Sequence, residues 1–404
     1  VGTAGMYPWF ANGFASIARM GGQVKTGHAL GAKREEEAIK LIESSLQLGS
    51  IMGVAYGVIA ALFASPLIGF FNLNHVKVIA DAEIYMRLTG MGVVFSFVNT
   101  ILSGIVTVMG NSRTAFRATA IGLISNIIMD PLLIFGVGIF PRMRVAGAAI
   151  ATVCAQVLVT VVFIISIYRE EGLFHQINLL KIPDKEYMAG IIRLGIPTGM
   201  QTMVSAGISM VIARMIAGFG DDAVAVQKIG VQIESISWMT AEGFGTAVNA
   251  FMAQNLGAGN RQRIIKGCRT IIVISLIWGC LCTFVLMSFP SMIFRIFISD
   301  QDVLNIGERY LWILGISQLF MCMELTIAGA FAGLGKTRPP SVSSGIFTSI
   351  RIPLAYVLMS TPLQLDGIWW SLTISGVLKG IILVAWFAFY FTQTFLSKRK
   401  KTDP

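Results

Sequence analysis

The chain has 404 residues, 55% of them hydrophobic and 13% charged, with a mean hydropathy of +0.73. A soluble domain carries roughly 25% charged residues, so the charge needed to clothe a water-facing surface is missing and a soluble globule is excluded. The 31 Lys+Arg against 21 Asp+Glu leave a formal +10, a balance that suits nucleic acid or the cytoplasmic loops of a membrane protein.

Four stretches, 44–76, 88–112, 145–168 and 270–294, contain no Asp, Glu, Lys or Arg. Each exceeds the roughly 20 apolar residues that cross a bilayer as helix. Spans are predicted in chain order near 1–24, 40–63, 84–108, 115–139 and 145–168. A second series follows near 190–217, 223–252, 267–290, 305–332, 341–361 and 367–394. The opening Val1-Gly2-Thr3-Ala4 has no methionine and lies inside an apolar segment, which is expected of a chain whose first helix lies upstream.

If the helices alternate, Lys25, Lys33, Arg34, Arg113, Arg169, Lys181, Lys185, Arg261, Arg263, Lys266, Lys336, Arg338 and the Lys398–Lys401 tail share one side. The opposite loops are poor in basic residues and carry Asp81, Asp221, Asp222, Asp300, Asp302 and Asp366. The positive-inside rule makes the first side, and the carboxyl terminus, cytoplasmic. Loop charge then accounts for much of the +10, and no nucleic-acid partner is expected.

Cys154, Cys268, Cys280, Cys282 and Cys322 lie in or beside spans without metal-ligand spacing and read as small buried hydrophobes. The three histidines, His28, His75 and His175, are expected in loops. No HExxH, GxSxG or Walker A pattern appears, so neither an enzyme nor a cofactor is expected.

Self-comparison exposes a duplication. Leu30-Gly31-Ala32 recurs 226 positions later as Leu256-Gly257-Ala258; Tyr85 and Gly90 recur 225 later as Tyr310 and Gly315; Gly110 and Arg113 recur as Gly335 and Arg338. Pro131 matches Pro353 and Gly147 matches Gly367. A shift by an even number of spans makes the halves parallel repeats. The expected fold is an all-α polytopic membrane protein of two parallel, pseudo-symmetric six-helix lobes, a twelve-helix plan of which eleven are present. Its expected parts are an amino-terminal lobe at 1–168, a cytoplasmic linker at 169–189, a carboxy-terminal lobe at 190–397 and a basic cytoplasmic tail at 398–404. Two parallel lobes are the usual plan of an alternating-access transporter.

Carboxylates in hydrocarbon are expensive and mark function by default. Asn126 and Asp130, four apart, share a helix face and can hold Na+ or relay H+; Asp130 can also cap the Asp-Pro bend. The second lobe carries Arg351 beside Pro353 and places Glu234, Glu242 and Glu324 where the first lobe is uncharged. Glu234 and Glu242 fall within about 80° on the helical wheel. With Gln227 and Trp238 nearby, they can attract a cationic aromatic compound. The alternative is a paired network in which Glu234 or Glu324 neutralises Arg351 or Lys379.

Several segments together resemble the multidrug and toxic compound extrusion (MATE) family. They are Gln254-Asn255-Leu256-Gly257-Ala258-Gly259, Leu30-Gly31-Ala32-Lys33-Arg34, Asn126-Ile127-Ile128-Met129-Asp130-Pro131, Arg193-Leu194-Gly195-Ile196-Pro197 and Ala146-Gly147-Ala148-Ala149-Ile150-Ala151-Thr152. The resemblance implies a secondary antiporter that exports cationic, amphipathic organic compounds in exchange for Na+ or H+. It also implies a cation site at Asn126 and Asp130, joined by Thr152 if the loop near Phe140 to Met143 is an insertion. A further Asp of the family's first helix falls upstream of Val1. The expected setting is the inner membrane of a prokaryote, with small organic substrates, the lipid bilayer as solvent and a monomeric state. Two other readings stay open: a flippase for a lipid-linked oligosaccharide, which would need a basic cleft and has only Arg351 and Lys379 in support, and an ion channel.

Overall fold

A computed structural model describes residues 6–69, 76–138, 141–169, 176–179, 181–298 and 300–396. Among them the chain is helical without strands. The order is α1 (Met6–Gly31), α2 (Glu35–Leu62), α3 (Ala64–Gly69), α4 (Val76–Val108), α5 (Ser112–Phe135), α6 (Arg144–Arg169) and α7 (Lys185–Ala217). It continues with α8 (Asp221–Gly257), α9 (Arg261–Ser288), α10 (Pro290–Arg295), α11 (Gln301–Gly333), α12 (Arg338–Met359) and α13 (Leu365–Phe391), which runs into a π-helical turn, Thr392–Leu396.

Each of the eleven predicted spans coincides with one long helix. The helices run past the apolar stretches: α1 continues to Gly31 and α2 begins at Glu35. Hydropathy marks only the part that lipid would surround. His28 accordingly lies in the last turn of α1, not in a loop. His75, His175, Phe140 and the Lys398–Lys401 tail lie outside the described residues. The two short helices, α3 and α10, were not expected, since six residues give no periodic signal.

Nine of the long helices are apolar enough to cross a membrane by length and composition. The two that are not, α1 and α8, are repeat partners. They carry polar side chains that are buried within the protein: Gln23 and Thr26 on α1, Glu234, Asn249 and Asn255 on α8.

The duplication is visible in the backbone. α2 and α9 start 226 residues apart and end 226 apart, as do α3 and α10; for α4 and α11 the interval is 225. Backbone conformation repeats too. Lys33 and Gly259 turn with φ of 58° and 66°, Gly110 and Gly335 with 94° and 73°, Arg144 and Gln364 with 50° and 45°. The left-handed turns are thus kept even where glycine is not.

Local chemistry sets the helix ends. Asn111 Oδ1 accepts from Thr114 N at the start of α5, and Asn260 Oδ1 from Arg263 N at the start of α9, both at 3.2 Å. Asp300 caps α11 through the amides of Asp302 and Val303. These side chains satisfy donors that the first helical turn leaves unpaired.

The helices form two compact units, Val1–Thr202 and Met203–Pro404, divided within α7. In the first, α4 packs against α1, α2 and α6 around Ala18, Ile42, Ile101, Ile105 and Phe163. Residues before α7 are strapped to α2: Gln47 Nε2 donates to the carbonyls of Leu179 and Lys181 at 3.1 and 2.8 Å. Glu43 Oε1 accepts from Asn178 N at 2.7 Å.

In the second unit α11 is the central helix, packed on α8, α9 and α13. Its closest approach to α8 depends on glycine. A Cβ on Gly329 would lie 2.6 Å from the Cα of Gly245, and one on Gly245 would lie 2.8 Å from the carbonyl oxygen of Leu325. Small residues of this kind let membrane helices meet backbone to backbone.

Candidate functional site

In the first unit the residues of interest come from three helices. Asn126 and Asp130 stand one turn apart on α5, immediately before Pro131. Proline removes the amide that would have bonded to the carbonyl four residues earlier, so an acceptor is set free beside the pair. Thr152 comes from α6, where its hydroxyl donates to the Ala148 carbonyl at 2.9 Å. Tyr85, half-buried, stands on α4, which packs against both α5 and α6.

Asn126 and Asp130 thus share a face of α5, with Thr152 on the adjoining α6 and Tyr85 on the adjoining α4. Asn126 Nδ2 and Asp130 Oδ1 are buried there with no hydrogen-bond partner. Buried polar atoms without a partner are rare and call for a ligand or a functional reason. A carboxylate oxygen, an amide and a hydroxyl oxygen form a hard donor set, suited to an alkali cation or a proton relay.

Asn126 and Thr152 also line a cavity of about 410 Å³. Its far wall is polar. Asn99 Nδ2 donates to Gln156 Oε1 at 2.9 Å, and Thr160 donates to Asn99 Oδ1 at 2.8 Å. The charged residue on its lining is Arg19.

The second unit is built differently at the corresponding places. Glu234, on α8, is buried. Its carboxylate accepts from Tyr310 Oη at 2.5 Å and from Gln318 Nε2 at 3.0 Å. Gln227 lies beside this group, accepting from Trp369 Nε1 at 3.0 Å. The Tyr310 and Trp369 rings meet edge to face at 5.1 Å. Glu234 therefore sits in a closed box, not on the open cleft that the helical wheel allowed. Glu242, two turns on, is exposed and Trp238 is half-buried, so the structure separates what sequence spacing grouped.

Of the remaining charges, Lys379 and Glu324 pair as the alternative reading had it, while Arg351 bonds to a hydroxyl. Lys379 Nζ lies 3.2 Å from Glu324 Oε2, with both side chains largely buried. Arg351 donates to Ser375 Oγ at 2.7 Å and feels both Glu324 and Glu234.

Sequence reasoning missed Tyr85, Tyr310 and Gln318 as site residues. The signal for the tyrosines was present: they are repeat partners, 225 residues apart. Gln318 had no such signal.

A duplicated bundle with, among the described residues, nine helices long and apolar enough to cross a membrane is the build of a polytopic membrane protein. The MatE family model matches residues 5–132 and 197–357, one segment in each half, and the chain belongs to that family. It is 26% identical over 390 residues to the probable multidrug resistance protein NorM of Thermotoga maritima, covering 96% of this chain and 83% of that one. Over 363 residues it is 26% identical to the FAD transporter of Shewanella oneidensis, covering 88% and 76%. Among solved structures, an outward-facing multidrug resistance MATE family transporter of the MOP superfamily matches with a TM-score of 0.86 at 20% identity, covering 97% of this chain and 88% of that one. A MOP superfamily transporter from Pyrococcus furiosus matches with a TM-score of 0.87 at 20% identity, covering 96% and 87%. These likenesses establish the fold.

Proposed function

We propose that the chain is a secondary antiporter that exports amphipathic organic cations in exchange for Na+ or H+ by alternating access. The observation that carries this is an Asp130 carboxylate oxygen shielded from solvent without a partner, one turn from Asn126, which with Thr152 lines a polar cavity. The coupling ion binds at Asp130 and favours a conformation of low substrate affinity. Coupling requires the two ligands to prefer different states, since tight binding alone shifts no equilibrium. The names of the NorM relatives support multidrug efflux. The asymmetry of basic loops supports a cytoplasmic carboxyl terminus in a prokaryotic inner membrane, and the chain acts as a monomer.

A second reading, an anionic organic solute, is favoured by Arg19 on the cavity lining and by the kinship with the FAD transporter. Efflux from proteoliposomes under an imposed Na+ or H+ gradient tests both. Export of a cationic dye driven by either gradient is the expected result. Gradient-driven export of a flavin dinucleotide, without the dye, selects the second reading, and flux at channel rates without a gradient overturns both.

A further inference from the structure

The repeat partners α2 and α9 begin alike in backbone and opposite in charge. At the interval of 226 residues, Glu35, Glu37 and Glu43 of α2 stand where α9 has Arg261, Arg263 and Arg269, and Lys40 stands where α9 has Lys266. The acidic first turn of α2 suits the positive end of the helix dipole, and the basic first turn of α9 opposes it. Orientation in a bilayer asks only for basic residues on one side. It gives no reason for carboxylates to be exchanged for guanidiniums at three matched positions.

In the first unit this stretch of α2 is covered by the chain itself. Glu43 is buried, accepts from Asn178 N at 2.7 Å and lies 3.9 Å from Lys181 Nζ, and Gln47 holds the Leu179 and Lys181 carbonyls. On α9 the matching Arg269 and Val273 are exposed. Arg261 is committed within the protein, its Nε donating to the Phe395 carbonyl at 2.8 Å. After Phe395 the sequence runs on to Lys398-Arg399-Lys400-Lys401, which has the same sign of charge as Arg269 and cannot neutralise it as Lys181 neutralises Glu43. Among the described residues Arg263, Lys266 and Arg269 have no ion-pair partner.

The exposed face of α9 leads from these cations into apolar surface. Val273, Ile277 and Phe284 are exposed and fall within about 20° of Lys266 on the helical wheel, with Arg269 about 60° away. Ile264, Cys268, Ser275 and Gly279 form the opposite, buried face. Cations at the foot of a lipid-facing stripe match a molecule with an anionic head and a hydrocarbon tail.

We infer that Lys266 and Arg269 bind the phosphodiester head of an anionic phospholipid whose acyl chains lie along Val273, Ile277 and Phe284. Arg263 adds to the field from the first turn. The inference does not depend on which solute or ion is transported.

Native mass spectrometry of the full chain in detergent, titrated with phosphatidylglycerol and with phosphatidylcholine of the same chain length, tests it. Phosphatidylglycerol should bind at least about tenfold tighter, and the double substitution Lys266→Gln with Arg269→Gln should remove that preference. Arg34→Gln with Lys40→Gln takes the same two charges from the start of α2 and should leave it intact. Lys266→Arg with Arg269→Lys keeps the charge at the proposed site and should also retain it, which separates a lost site from a damaged fold. Equal affinity of the unsubstituted protein for the two lipids, a preference that survives the Lys266 and Arg269 neutralisation, or an equal loss in either comparison variant overturns the inference.

Discussion

Tyr310 donates a 2.5 Å hydrogen bond to Glu234 across 76 residues of sequence, and its repeat partner Tyr85 stands on α4, which packs against the helices that carry Asp130 and Thr152. The same tyrosine has been kept in both halves while the carboxylate lies on α5 in one and on α8 in the other. In the second unit that carboxylate is enclosed by Tyr310 and Gln318; in the first it keeps an oxygen with no partner. The difference separates a fully bonded carboxylate from one with an unpaired oxygen.

Tyr310→Phe leaves Glu234 Oε1 without its donor in a buried setting. The expected cost is about 1–3 kcal/mol, read as a lower midpoint of thermal or denaturant unfolding in detergent. Stability equal to that of the unsubstituted protein would mean that the bond contributes nothing.

The Glu324 and Lys379 pair should behave as a unit. Removing one partner strands a buried charge at about 3–5 kcal/mol, whereas replacing both with neutral side chains of similar volume is close to neutral. Lys379→Met and Glu324→Gln singly should therefore destabilise strongly, and the double variant should recover most of the loss. Additive losses would contradict the buried pairing.

At the crossing of α8 and α11, Gly329→Leu meets the Gly245 backbone, which cannot rotate aside as a side chain would. Overpacking of this kind costs about 1–3 kcal/mol or more. The variant should express poorly and unfold at lower temperature, as judged by size-exclusion chromatography after heating.

Glu43 holds the segment before α7 against α2 through Asn178 N. Glu43→Ala should release that segment, with faster tryptic cleavage at Lys181 and Lys185 and intact α2 packing. An unchanged cleavage rate would assign the strap to Gln47 alone.

Much of this architecture was legible in the sequence because the bilayer makes helices long and apolar and because duplication states the plan twice. Asn126, Asp130 and Thr152 were reached by residue type, spacing and family likeness; Asn126 and Thr152 line one cavity, with Asp130 a turn along α5 from Asn126. The carboxy-terminal charges were harder. A helical wheel places Glu234 and Glu242 on nearby faces but contains nothing about what α11 and α13 present to them, and it is Tyr310 and Gln318 that enclose Glu234. Which of Arg351 and Lys379 neutralises Glu324 is likewise a matter of how α11, α12 and α13 pack. The polarity of α1 and α8 was visible as a lack of apolar residues, but only packing reveals that Gln23, Thr26 and Glu234 are buried inside the protein.

The central claim is that Asp130 couples an ion gradient to transport, and gradient-driven efflux by Asp130→Asn protein in proteoliposomes tests it most directly. The amide keeps the volume and removes the charge. The account predicts that efflux driven by the Na+ or H+ gradient falls to the level of protein-free vesicles, while the variant still binds substrate and unfolds within a few degrees of the original. Undiminished gradient-coupled efflux in the variant would contradict it.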